Sequence, residues 1–340
     1  MKNNLRHMKK AAIVILNYNG REVLPVFLPS VMEHSGFDCW VVDNSSTDDS
    51  LAFLKTDFPE VQLILLHSNF GFAGGYNWGL EELKEKYEYF ILLNSDVEVT
   101  PGWDESLISW LGQNPDYSAL QPKILSWQDR SFFDYAGAGG GYLDALGYPY
   151  CRGRILETVE QDHGQYDNPV EVDWASGACM AVRAADFFEQ EGFDAHFFAH
   201  MEEIDLCWRL RRTGRKIGYL GSVTVFHQGG ATLARTNPNK LYLNIRNNLS
   251  MIYKNVSGFR FFGIIVAKGV LEMAVGLGYL ARGKKDFTLA MMRGYRDFIA
   301  RIRTIKKSSK KPEMEKSTSG PIRFIVWNYL FLRKRVFSKL

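Results

Sequence analysis

The chain has 340 residues, 46% of them hydrophobic and 23% charged, with a net charge of +3 at neutral pH, ordinary proportions for a globular protein with a substantial core in one large domain or two smaller ones. The four cysteines, Cys39, Cys151, Cys179 and Cys207, lie far apart with neither a CxxC pair nor a metal-ligand spacing, which excludes a disulfide framework and points to buried thiols in a reducing compartment. Residues 11–258 hold 18 basic against 33 acidic side chains, a net of −15, while residues 301–340 carry +10; this excludes a nucleic-acid footprint over the whole surface and describes an acidic body with a basic segment suited to an anionic surface.

The basic opening "MKNNLRHMKK" (residues 1–10) runs directly into "AAIVILNYNG" (11–20), an apolar run ending in a polar turn, so a strand is expected there rather than the h-region of a signal peptide. A helix is expected over 24–34. "CWVVDNSSTDDS" (39–50) repeats the theme: a strand, then Asp43, then capping residues for a helix over 51–55. A third strand (61–66) leads through the glycine-rich "SNFGFAGGYN", read as a loop, to a helix from about residue 77, and "YFILLNSDVEV" supplies a fourth strand. Strands alternating with helices at this spacing predict an α/β fold with a doubly wound, mostly parallel sheet. Each strand ends in polar residues at its carboxyl side, so these loops should gather in one crevice.

Residues 134–154 carry too many glycines for a regular helix and read as a connection or part of a substrate lid. "ASGACMAV" reads as a strand, 184–191 as a helix and "EEIDLCWRLRRTG" as a helix stopped by Gly214, and the next strand ends at His227. No internal repeat is visible.

Four features of this body carry chemistry. The glycines of "SNFGFAGGYN" would let a backbone approach a phosphate closely, although the motif is neither GxGxxG nor a P-loop. Asp43 is placed either to accept a hydrogen bond from a base or ribose, or to cap the following helix. In "ILLNSDVEV" an apolar strand delivers Asn94, Ser95 and Asp96; these residues make turns readily, but a hard divalent ion bound to a diphosphate needs only one or two protein carboxylates. His227 is a candidate second ligand, and an O/N donor set suits Mn²⁺ as well as Mg²⁺. Glu202, Glu203 and Asp205 crowd a helix start, where the dipole favours negative charge. Three carboxylates exceed what capping requires, so one is a candidate general base with its pKa raised by its neighbours.

Taken in order, "VILNYNG", "VVDNSSTDDS", "NFGFAGGYN", "LLNSDV", "SGACMAV", "EEIDLCWRLRRTG" and the strand-ending His227 resemble the inverting glycosyltransferases of family 2, with the GT-A fold, over roughly residues 11–230. More narrowly the chain is similar to the bacterial branch that includes rhamnosyltransferases of cell-surface polysaccharide assembly. The resemblance implies that Asn17 and Asn19 line the nucleotide site, that Asp43 contacts the base, and that Asn69, Gly71 and Asn77 border ribose and diphosphate. Asn94, Ser95 and Asp96 stand at the metal-binding DxD motif, and the acidic pair before "xDLxxR" supplies the base. Two departures matter: Asn94 replaces the first DxD carboxylate, leaving coordination to Asp96 with the phosphates, and the usual Glu-Asp pair is Glu202-Glu203, which aligns the base with Glu203. Trp174, beside "ASGACM", is either a stacking face for an acceptor sugar or a core aromatic.

The implied activity moves a sugar from a nucleotide-diphosphate sugar to a hydroxyl of a glycan or lipid-linked glycan. The runner-up is a nucleotidyltransferase, for which "NYNGREV" offers only Arg21 as a basic phosphate contact; a non-catalytic carbohydrate-binding protein would be expected to lose Asp96 and Glu203 together. Beyond a body over 11–258, the region 259–340 is expected to be basic and amphipathic. "FRFFGIIVAKGVLEMAVGLGYLARGKK" (259–285) is apolar but interrupted by Lys268 and Glu272, which fits an in-plane amphipathic helix better than a span. "RIRTIKKSSKKPEMEKSTSG" reads as a basic linker, and "PIRFIVWNYLFLRKRVFSKL" mixes aromatics with cations. The expected location is cytoplasmic, peripheral on the inner face of the cell membrane; a helical subdomain packed on the body is the alternative.

Overall fold

The computed structural model describes residues 8–229, 237–256, 258–305 and 324–339. Residues 1–7 of the basic opening and 306–323 of the expected linker and tail lie outside them. Along the first third of the chain β1 (Lys9–Asn17), α1 (Leu24–His34), β2 (Asp38–Asp43), α2 (Ser50–Asp57), β3 (Gln62–Leu65), α3 (Gly71–Glu82) and β4 (Tyr87–Asn94) alternate as their patterns require. β1 pairs in parallel with both β2 and β4, and β2 with β3. The centres of β1 and β4 (Ala12 to Val14, Phe90 to Leu93) are fully buried, as expected for continuous apolar runs covered on both faces by crossover helices.

The chain continues through β5 (Val97–Glu98), α4 (Trp103–Gln113) and β6 (Tyr117–Ser126). A separate antiparallel sheet follows, formed by β7 (Gly141–Leu143), β8 (Pro149–Cys151), β9 (Arg154–Ile155) and β10 (Thr158–Val159). Then come β11 (Val170–Val172), β12 (Cys179–Arg183), α5 (Ala184–Glu189), α6 (Glu202–Arg212) and β13 (Lys216–His227). The main sheet runs β11-β13-β6-β12-β4-β1-β2-β3, with β5 added on β13. β12 lies antiparallel to both β4 and β6, so parallel pairing prevails in the first half of the sheet and the second half is mixed. The segment from β6 to β12 passes through the small sheet rather than a helix, so no βαβ crossover forces β12 into a parallel direction.

Two expectations are corrected. Residues 134–154 are not a loose connection: they build β7 and β8, with Tyr150 and Cys151 fully buried. The glycine-rich stretch is not a loop preceding a helix, because α3 already begins at Gly71. The glycines of α3 serve close packing: a Cβ on Gly75, within the stretch, would stand 2.7 Å from Leu16 Cδ1, and one on Gly79, just beyond it, only 2.4 Å from Val42 Cγ2. The four cysteines are buried and unpaired, and burial pushes the Cys39 and Cys207 thiols up to about 12, which leaves them poor nucleophiles.

The remaining helices are α7 (Pro238–Asn255), α8 (Gly258–Ala281), α9 (Lys285–Arg301) and α10 (Ile325–Leu330). α7 packs on both α6 and α9, and α8 folds back along α9. α8 is long and apolar enough to cross a membrane by length and composition, yet its two mid-helix charges do not face outward. Ile264, Lys268, Glu272 and Gly276, each four residues apart, form its buried stripe, the row a helix presents to one neighbour. There Lys268 Nζ lies 3.1 Å from Glu272, which also accepts hydrogen bonds from the Tyr148 and Tyr295 hydroxyls at 2.8 and 2.7 Å. The opposite face exposes Phe259, Phe262, Val266, Val270, Met273 and Leu277. The C-terminal segment returns to the body: Ile325 N–H donates to Asp144 at 3.0 Å, and Phe337 N–H and the Ser338 hydroxyl donate to Glu160 at 2.7 and 2.8 Å.

Because the α3–β2 contact has no room for a methyl group, Gly79→Ala should destabilise the protein by about 1–3 kcal/mol. Gly112→Ala, on the open face of α4 with no neighbour within 4 Å, should stabilise it by up to ~1 kcal/mol. Urea unfolding of both variants beside the parent measures the difference, and equal midpoints would show that α3 can lift from the sheet freely.

Candidate active site

The carboxyl ends of β1, β2 and β4 and the start of α3 lie together, as the strand order dictates. Asn17, fully buried, donates through Nδ2 to Asp43 Oδ1 at 2.9 Å and to the Ser46 and Ser50 hydroxyls, both at 3.1 Å. Asp43 Oδ2 accepts the Ser46 N–H at 2.9 Å. Asp43 is therefore committed to the turn after β2, and with only 2% exposure its carboxylate would serve a base through its spare lone pairs alone. Asn19, at a left-handed φ of 53°, accepts the Thr47 N–H at 2.7 Å, while Tyr18 between them remains exposed. Asn44, which no pattern in the sequence marks, ties this turn to α3: it donates to Asn69 Oδ1 and to the Gly71 carbonyl and accepts the Phe70 N–H. Asn69 Oδ1 also accepts the Gly71 N–H at 2.8 Å. Asn77 does not open toward this crevice, because both ends of its amide are taken by the backbone of Phe193 at 2.7 and 2.9 Å.

Asp96 and His227 are 131 positions apart and meet because β5 and β13 pair antiparallel, with His227 opposite Val97. Asp96 Oδ1 lies 3.2 Å from His227 Nε2, and Asn94 Nδ2 lies 3.4 Å from the same nitrogen. The ring's other nitrogen, Nδ1, lies 2.8 Å from Asp134 Oδ1. Asp134 was not singled out in the sequence; it has no neighbour there to mark it, and only the fold brings it behind the imidazole. Burial alone would depress the imidazole pKa, but the two carboxylates carry it up to about 10. Burial likewise opposes ionisation of Asp134, which His227 nevertheless holds below the usual carboxylate value.

This donor set fits a hard or borderline divalent cation: a carboxylate oxygen and an imidazole nitrogen face each other, and a second carboxylate fixes the ring. Among the described residues no three or more His, Cys, Asp or Glu side chains converge as a metal-binding group. An ion held here would take its other ligands from phosphate and water. Ser95 stands in the turn between β4 and β5, beside this pair.

The acidic residues of α6 divide into two kinds. Asp205 is fully buried and saturated: Arg209 and Lys254 each approach Oδ2 at 2.8 Å, and Asn255 donates to Oδ1 at 3.0 Å. It braces α6 against α7, and the expectation that it belongs to the catalytic group is corrected on that ground. Glu202 and Glu203 each keep a buried Oε2 with no hydrogen-bond partner. Burial pushes Glu203 up to about 7 against the pull of surrounding backbone N–H groups, including that of Gly177. Burial, then the charge of Glu203, push Glu202 well above the usual range. Trp174 is likewise corrected to a core role: it is 4% exposed, its Nε1 donates to the Tyr142 carbonyl at 3.0 Å, and its ring lies against Gly141.

Residues 12–136 match the family model "Glycosyl transferase family 2". The low-salt glycan biosynthesis hexosyltransferase Agl10 of Haloferax volcanii is 28% identical over 242 residues, covering 69% of this chain and 73% of its own. The N-acetylglucosaminyl-diphospho-decaprenol L-rhamnosyltransferase of Mycobacterium tuberculosis is 28% identical over 209 residues, covering 57% and 67%. The crystal structure of GalNAc-T7 with UDP, GalNAc and Mn²⁺ shares the fold at a TM-score of 0.58 and 15% identity, covering 88% of this chain and 58% of that one.

The carboxyl of Glu203 holds its proton to higher pH in the folded protein than in the unfolded chain. Its stabilising contribution is therefore complete below about pH 4.5 and is lost as pH rises through about 7. Glu203→Gln should accordingly be more stable than the parent above pH 7, with the advantage vanishing below pH 4.5. Thermal midpoints of both proteins from pH 4 to 8.5 check this; parallel curves would show that the carboxyl is not buried in solution.

Proposed function

Because the chain is a glycosyltransferase carrying a family 2 domain over residues 12–136, we propose that it transfers a sugar, with inversion, from a nucleotide-diphosphate sugar to a hydroxyl of a lipid-linked glycan in cell-surface polysaccharide synthesis. The observation that carries this reading is the convergence of Asp96 and His227 at the carboxyl ends of the strands, with Asp134 behind the ring. Asp96 and His227 would hold the divalent ion, Mn²⁺ or Mg²⁺; Asp134 would keep Nδ1 protonated, and the ion would take the place of the proton that the flanking carboxylates otherwise keep on Nε2. The ion, when bound, neutralises the charge that builds on the departing nucleoside diphosphate.

Asn17, Asn19, Asn69 and Gly71 would line the nucleotide crevice, whose floor Asn44 stitches to α3. Glu203 takes the proton of the acceptor hydroxyl. With a pKa near 7 and an unpartnered oxygen it is poised for that role, and one base with one displacement needs no covalent intermediate. Burial and the charge of Glu203 push Glu202 well above the usual carboxylate range, so the two carboxyls resist carrying charge together. The Mycobacterium tuberculosis relative is named for a decaprenol-linked substrate, and the exposed apolar face of α8 supports a lipid-linked acceptor here.

The same helix supports an in-plane position on the inner face of the cell membrane. Beyond the exposed Arg260 at its start, its outward residues are apolar, whereas Lys268 is paired with Glu272, which is tied to Tyr148 and Tyr295. A span would expose that ion pair to hydrocarbon, at a cost of several kcal/mol. Trp327, Leu330, Phe331 and Leu332 add a second exposed apolar patch, next to Arg333, Lys334 and Arg335, a pairing suited to anionic headgroups.

Thermal unfolding with UDP-, dTDP- and GDP-sugars, each with Mn²⁺, Mg²⁺ or chelator, tests the donor site. One nucleotide sugar at a hundred times its dissociation constant should add ~2.7 kcal/mol, only with metal, and Asp96→Ala should abolish the effect. Asp134→Asn should weaken Mn²⁺ binding about 10–100-fold, read by paramagnetic resonance of the free ion. No shift with any nucleotide would overturn the transferase reading. For the membrane, Val270→Asp combined with Met273→Asp should cut co-sedimentation with phosphatidylglycerol vesicles, and unchanged binding would place the contact elsewhere.

A further inference from the structure

We propose that Arg246 and Asn247 of α7 form a positioning clamp that holds the 196–201 segment, and through it the Glu203 carboxylate, in place against the start of α3; this rests on the reading of Glu203 as the base. The segment is unusual in its backbone. Phe198, His200 and Met201 all adopt left-handed φ values, 65°, 72° and 75°. Residues with a Cβ avoid that region, and a run of them persists only where the surroundings over-determine it. Met201 immediately precedes α6, so its conformation sets the direction in which Glu202 and Glu203 leave the turn.

The surroundings that impose this conformation come from α7. Asn247, 1% exposed, directs its Nδ2 to the carbonyls of Phe197, Ala199 and His200 at 2.9, 2.8 and 2.8 Å. Arg246, 6% exposed, donates through Nη2 to the carbonyls of Phe197 and His196 at 2.9 and 3.2 Å. Its Nε donates to Asn247 Oδ1 at 2.8 Å, which leaves the amide nitrogen pointed at the segment. On the far side the Phe198 carbonyl accepts the N–H groups of Phe72 and Ala73 at 2.6 and 3.2 Å, in the first turn of α3. A Cβ on Gly71 would sit 2.5 Å from that carbonyl oxygen, so the contact requires glycine there. Phe72 also borders Gly177, whose N–H is one of those drawn toward the Glu203 carboxylate.

Every hydrogen bond the clamp makes to the segment goes to a carbonyl, so an apolar residue of similar volume could fill the space without replacing it. Lys254, further along α7, bridges Asp194 and Asp205 at 2.6 and 2.8 Å and braces both ends of the same region. A base acts only within hydrogen-bond reach of the hydroxyl it deprotonates. The clamp is therefore a determinant of turnover while touching neither donor nor acceptor.

The test uses the full chain with its donor, metal and acceptor, comparing Asn247→Leu, Arg246→Lys and Glu203→Gln with the parent. Releasing the segment should lower kcat about 100-fold in Asn247→Leu, the scale for a misplacement of roughly 1 Å, with donor KM little changed. The acidic limb of the kcat–pH profile should move to lower pH as Glu203 gains water, and the amides of 196–201 should exchange faster. Arg246→Lys, which keeps a cation but loses the fork, should shift the same limb less far. A folded Asn247→Leu protein with unchanged kcat and an unmoved limb would overturn the clamp; if that variant fails to fold, an unmoved limb in Arg246→Lys does so. Activity retained in Glu203→Gln would overturn the base reading itself, whereas an inactive Glu203→Gln beside an unaffected Asn247→Leu would remove the clamp alone.

Discussion

His227 sits between the carboxylates of Asp96 and Asp134, and the two-residue pairing of β5 with β13 is what holds it there. A buried imidazole with a carboxylate on each nitrogen would be expensive anywhere else, since each charge must leave water. Here each group neutralises the next, and the ring has one orientation, with Nδ1 toward Asp134 and Nε2 toward Asp96. The rest of the site is arranged around that fixed point. The Asn94 N–H donates to the Ala178 carbonyl at 2.9 Å, which joins the end of β4 to the turn before β12, and Gly177 in that turn faces Glu203.

The carboxylates of α6 show how one helix can use the same chemistry for two ends. Asp205 has a guanidinium, an ammonium and an amide around it. One turn earlier, Glu202 is buried and Glu203 half-buried, each with one carboxyl oxygen that lacks a hydrogen-bond partner. An unpartnered buried carboxyl oxygen destabilises a fold, and this pair stands beside a neighbour on the same helix that is fully compensated. The compensated residue makes this tolerable, because it anchors α6 to α7.

The C-terminal helices follow a related logic. α8 turns its charged stripe inward, to Tyr148 and Tyr295, and leaves its apolar side outward, the reverse of a helix on a protein facing water on all sides. α7 lies between this layer and α6, so the helix that grips the 196–201 segment is also packed against the helices that present the apolar face.

Much of this was readable in the chain. The alternation of apolar runs with helical spacing determined the parallel half of the sheet, because runs such as Ile91 to Leu93 are stable only when covered on both faces. The polar residues ending each run determined that Asp43, Asp96 and His227 would lie at carboxyl ends. Periodicity is a local property, and so are turns and caps, which is why these assignments survive contact with the structure. What the tertiary structure decided were the pairings between distant residues. Asp134 behind His227, Asn44 on Asn69, Asp205 on Lys254 and Asn255, and Asn247 on three carbonyls all depend on which elements meet, and no local pattern encodes that. The same reason accounts for the corrections: glycines that read as a loop serve tight helix packing, Trp174 fills the core, and Lys268 and Glu272 interrupt an apolar helix only on the side turned away from solvent.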